Sequence, residues 1–176
     1  MKRKALFLSI IFHSLLLIVV YIFQGMIFPF VRLNGLIPLL LPIASTGIAL
    51  YEGRDTGGIA GLFAGILCDV SFNQPIGVFT VFLTLSGLVV GTMADAAILP
   101  GFITYYISVA AVLILSAGIQ MVPFIVSQSS NVTLAMMLPT AIEQTLYSLV
   151  LAFPIWFFVR AIGKWTERMS PSGRTH

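Results

Sequence analysis

The sequence predicts an all-α integral membrane protein, a six-helix transmembrane bundle with short loops and both termini in the cytoplasm. Three observations predict it. Of 176 residues, 59% are hydrophobic and 9% charged, with a mean hydropathy of +1.05, whereas soluble domains carry roughly 25% charged residues. That leaves too little polar material to cover a globule in water, so the solvent is lipid. The apolar residues form continuous runs, unlike the alternating strands of about ten residues that build a membrane barrel. Finally, Lys2, Arg3, Lys4, Arg54, Arg160, Lys164, Arg168 and Arg174 fall on one side of a six-span path and only Arg32 on the other. Such a bias marks the cytoplasmic side.

At about 20 residues per span, the chain holds one transmembrane domain over residues 1–176 and no separate soluble domain. The first helix, residues 5–28, follows the basic start and is too long, without a small-residue cleavage site, to be a signal peptide. Arg32, Asn34 and Gly35 form the next loop. Residues 36–51 form a second segment whose Pro38 and Pro42 predict a kink or an irregular start. After the polar break at Glu52-Gly53-Arg54-Asp55, residues 57–72 and 76–93 read as a tight helical hairpin around Asn73-Gln74-Pro75. Asp95 and Pro100 mark a further break, and residues 101–126 and 134–160 supply the last two helices. The tail, 161–176, is expected to fray. If the proline-bearing second segment failed to span, the basic C-terminal residues would lie outside, so six spans are preferred to five.

Gly57, Gly61, Gly65 and Asp69 recur every four residues, which places them along one helix face. Gly87, Gly91 and Asp95 repeat the device on the next helix. Glycine stripes let another helix approach closely where lipid supplies no hydrophobic drive. They serve either the packing of this hairpin within its own bundle or the docking of a partner's helix, with Asp69 bonding near its outer end. Asp69 follows Asp55 by 14 residues, which puts it roughly 21 Å into the hydrocarbon. Glu143, counted back from Arg160, comes to a depth of roughly 25 Å at the same rise. Acids at such depth are costly unless paired, so Asp69, Asp95, Glu143 and Arg32 are the expected buried charged set. Arg32 is the natural counter-charge for Asp69 or Glu143, as a register-fixing tie or as part of a recognition site.

No metal-ligand cluster, nucleophile with its base, or phosphate-cradling loop accompanies these acids, so the expectation is no enzyme, no cofactor and no metal. His13 reads as a packed side chain, Cys68 as a small core residue, and Gln24, Gln120 and Gln144 as cross-helix hydrogen-bonding groups. The basic residues sit at segment ends, where they set orientation, and no nucleic-acid role is expected.

From Pro42 through Tyr51-Glu52-Gly53, Gly57-Gly58, Gly61-Leu62, Gly65 and Asp69 to Pro75-Ile76-Gly77 and Gly91, the chain resembles the rod shape-determining protein MreD family. The resemblance implies a non-enzymatic membrane scaffold of the cell-wall elongation machinery in the bacterial cytoplasmic membrane. It would pair with the bitopic protein MreC and link MreB filaments to the synthase RodA and its class B penicillin-binding protein. The rival reading is the substrate-binding subunit of an energy-coupling-type vitamin transporter, for which Ala5 and Ser9 would stand as the small-residue contact on the first helix.

Overall fold

The computed structural model describes residues 2–26, 37–71, 77–96, 101–126 and 134–169. They form six helices: α1 (Lys2–Met26), α2 (Leu40–Glu52), α3 (Arg54–Ser71), α4 (Val78–Asp95), α5 (Phe102–Val126) and α6 (Leu134–Met169). Helix α6 continues past Arg160 to Met169, through the first part of the tail expected to fray, and it keeps Pro139 and Pro154 inside it. Val78–Asp95, Phe102–Gln120 and Leu138–Ala161 are long and apolar enough to cross a membrane, and Ile10–Met26 and Leu40–Glu52 are shorter apolar helices.

Helix α2 is the hub. It packs on α1, α3, α4, α5 and α6, and every residue from Leu40 to Leu50 is buried. A helix apolar on all sides belongs at the centre of a bundle, where no face has to meet the solvent. Its prolines sit where the backbone tolerates them. Pro42 lies in the first turn, whose N–H groups have no intrahelical acceptor in any case, and Pro38 lies just before the helix. The remaining start of α2 is satisfied by its neighbours. The Leu39 N–H donates to Ser148 Oγ at 2.9 Å, the Leu40 N–H to Gln24 Oε1 at 3.1 Å, and Gln144 Nε2 donates to the Ile37 carbonyl at 2.9 Å. Gln120, by contrast, donates to the Ser116 carbonyl of its own helix.

Gly53 alone joins α2 to α3. Its φ of 85° lies in the region that side chains disfavour, and its N–H closes onto the Ala49 carbonyl at 3.1 Å. The core divides around α2 into one cluster with Tyr105, Val109, Leu113 and Trp156 and another with Leu17, Ala60, Phe79 and Leu83. Facing outward are Ile18, Phe63, Val81, Leu85, Ile103, Leu146 and Phe157, all exposed. An apolar core within an apolar perimeter is the pattern of a bundle whose solvent is lipid.

The α3–α4 hairpin as candidate functional site

Helices α3 and α4 run antiparallel and make the most intimate contact in the molecule. Their glycine stripes face each other. A Cβ at Gly61 would collide with the Leu83 carbonyl, one at Gly65 with the Thr80 backbone, and one at Gly87 with the Gly57 carbonyl. At Gly57 it would meet Ala49 Cβ at 2.7 Å and the Gly87 carbonyl at 2.8 Å, and at Gly91 the Arg54 Cα at 2.6 Å. Backbone thus lies directly on backbone along the whole length of the hairpin, the close approach that small residues permit in lipid. In this fold α4 and α2 already occupy the face of Gly57, Gly61 and Gly65 that was open to a partner's helix. Of the two readings of the stripe, internal packing describes the geometry.

The carboxylates that end the two stripes act as reciprocal caps. Asp69, at the end of α3, is 2% exposed and accepts four hydrogen bonds at the start of α4. These come from the N–H groups of Gly77 (2.8 Å), Phe79 (2.9 Å) and Thr80 (3.2 Å) and from Thr80 Oγ1 (2.6 Å). Gly77 has φ 109° and no side chain of its own to cap with, so an acid on the neighbouring helix does the work of an N-cap residue. The negative charge also lies at the positive end of the α4 dipole. At the other end of the hairpin, Asp95 Oδ2 accepts the N–H of Arg54, the first residue of α3, at 3.0 Å. Each helix therefore ends in the acid that caps its partner.

The expected buried charged set is corrected at Asp95 and Glu143. Asp69 is buried, but its partners are backbone and a threonine hydroxyl. Asp95 and Glu143 are exposed on the bundle surface, because position along a helix sets height and not the direction in which a side chain turns. Arg32, and with it any tie to Asp69 or Glu143, lies outside the described residues. A pair not foreseen sits at the opposite end from Asp69, where His13 Nε2 lies 3.7 Å from Glu52 Oε1 with side chains 3% and 14% exposed. His13 was legible as a packed side chain, whereas Glu52 read only as a loop residue. Nearby, Trp156 is buried beneath the Arg160 guanidinium, 4.8 Å from the ring centroid, and stands edge-on to Phe102.

Among the described residues no group of three or more His, Cys, Asp or Glu is placed to hold a metal ion. The site's chemistry is structural: a rigid, internally capped hairpin locked against the central helix. Neither a curated protein nor a solved structure matches the chain. Residues 2–162 do match a family, described as rod shape-determining protein MreD. That match takes in all six helices almost to the end of α6, and the chain belongs to the MreD family of rod shape-determining membrane proteins.

Proposed function

We propose that this protein is a non-enzymatic scaffold of the side-wall elongation machinery, crossing the bacterial cytoplasmic membrane six times with both termini in the cytoplasm. In this reading it binds an MreC-like bitopic protein and through it couples MreB filaments to RodA and a class B penicillin-binding protein. The observation that supports it most is the investment of the glycine stripes and both capping acids in one rigid hairpin, surrounded by outward apolar faces. Such a body changes little on binding and presents preformed surfaces, which lowers the ordering cost that a partner must offset. The transporter reading draws less support. An apolar groove between α1 and α6 is lined, among the described residues, by Leu, Val, Ile, Phe, Ala and Pro, whereas a polar vitamin needs placed hydrogen-bonding groups.

The test is depletion in the native bacterium, scored for cell shape and for capture of MreC by a tagged copy. Rounded cells, with MreC recovered on the tagged protein, are the expected result. Normal rods, with a tagged copy that instead retains transporter ATPases or a vitamin, would overturn the proposal.

A further inference from the structure

Where the end of α2 meets α6, three hydrogen-bond donors gather with no acceptor among them. Trp156 Nε1 and the Tyr51 hydroxyl oxygen are buried, and neither has a hydrogen-bond partner. The two groups neighbour each other, and both lie close to the Arg160 guanidinium, which is 4.8 Å from the centroid of the Trp156 ring. An indole N–H turned to the phenol oxygen would still leave the phenol proton without an acceptor. The Ala152 carbonyl, one turn before Trp156, already takes the Tyr105 hydroxyl at 3.4 Å, and the Glu52 carboxylate pairs with His13. Among the described residues no carboxylate pairs with Arg160. Buried donors without partners are uncommon and costly, so each calls for an explanation.

We propose that Tyr51, Trp156 and Arg160 bind the phosphate of an anionic phospholipid. The chemistry is the first reason: a phosphate diester offers only acceptors, and the guanidinium fork matches two of its oxygens while the phenol and the indole take the remaining lone pairs. Level is the second. The apolar span Leu138–Ala161 has 24 residues, about 36 Å at helical rise, and overruns a hydrocarbon layer about 30 Å thick. Arg160 therefore stands in the headgroup layer, with Trp156 one turn deeper at its boundary. Charge is the third. Helix α6 continues to Met169, and Arg160, Lys164 and Arg168 recur along it every four residues, one helix face by register. A basic run directly beyond a span draws anionic headgroups. Arg160 is itself exposed, so a change of rotamer frees it to fork onto the phosphate and uncovers the indole beside it. An acidic side chain of a soluble partner would have to enter the headgroup layer to reach the same donors, whereas a lipid phosphate is already there.

The test titrates the full chain in neutral detergent with palmitoyl-oleoyl phosphatidylglycerol and counts bound lipid by native mass spectrometry, with palmitoyl-oleoyl phosphatidylcholine and inorganic phosphate in parallel. Wild type is expected to hold phosphatidylglycerol about fivefold more tightly than phosphatidylcholine, and Arg160→Gln to lose about fivefold in phosphatidylglycerol affinity. Arg54→Gln removes another exposed cation at the same end of the bundle and should keep the wild-type affinity. Tyr51→Phe gives a readout that a purely structural role would not move. Deleting an unpaired buried hydroxyl should leave the lipid-free melting temperature unchanged or raised, while the variant gains less from phosphatidylglycerol than wild type does. Equal binding of the two lipids, equal losses in Arg54→Gln and Arg160→Gln, or a Tyr51→Phe variant that responds to lipid as wild type does would each overturn the proposal. So would displacement of the lipid by an equal concentration of inorganic phosphate, which would assign the site to the free ion. None of these readouts involves MreC, so the scaffold role and the lipid site stand or fall separately.

Discussion

Asp69 sits at depth in an apolar bundle, and the groups that hold it there are three backbone N–H donors and the Thr80 hydroxyl. Hydrogen bonds to a charged acceptor contribute about 1.5–3 kcal/mol each, and a buried donor left without a partner costs about 1–3 kcal/mol. Asp69→Ala removes the acceptor from several donors at once and is expected to cost at least about 3 kcal/mol. Asp69→Asn keeps one carbonyl oxygen and should fall between the two. Thermal unfolding in detergent, ranked wild type, Asn, Ala, checks this, and an Ala variant that melts with wild type would refute the capping role. The sequence made Asp69 legible as a deep acid at the end of a glycine stripe. Its partners were not legible, because a backbone N–H carries no letter and every residue but proline offers one. Glu143 marks a second limit, since counting residues put it at nearly the same depth although its side chain turns outward.

At the scale of elements, the four-residue glycine period was plain in α3 and α4, but it does not say which helix lies against it. The answer came from two further features: a connection of six residues between the helices, and an acid at each stripe's end that meets the other helix's first turn. Short connections make sequential helices antiparallel neighbours, so the pair is complete before the rest of the bundle is considered. Gly61→Ala tests the fit. The added methyl would enter the Leu83 carbonyl, and since backbone cannot yield as a flexible side chain does, the expected cost is about 1–3 kcal/mol. Gly118→Ala in α5 is the control, with nothing within 4 Å of the added carbon, and should be neutral or stabilising by up to about 1 kcal/mol through helix propensity. Opposite shifts in melting temperature are the expected readout. Equal shifts would mean that the α3–α4 contact is looser than the geometry requires.

At the scale of the whole molecule, the proposed six-span path asks how α2 could cross when its 13 residues cover only about 20 Å of a hydrocarbon layer about 30 Å thick. A short helix facing lipid would expose unsatisfied backbone, which is not tolerated there. Helix α2 does not face lipid. Five helices pack around it, and Gln24, Gln144 and Ser148 supply hydrogen bonds to residues 37–40. Length is thus set by what the neighbours can satisfy, which is why hydropathy alone left this segment in doubt while the charge bias favoured its crossing. The hydrogen bond from Leu40 to Gln24 and the His13–Glu52 pair put the start of α2 beside the end of α1 and the end of α2 back beside residue 13, so α2 runs antiparallel to α1 and returns the chain to about the middle of that helix. Topology reporters read this directly. Alkaline phosphatase fused after residue 74 should be active, and fusions after residues 54 and 176 inactive, with the opposite order for a fluorescent reporter that matures only in the cytoplasm. An active phosphatase at the C-terminus with an inactive one after residue 74 would mean that α2 enters and leaves on the same side. The seven basic residues at the termini and Arg54 would then be split across the membrane, against the bias that orients such proteins.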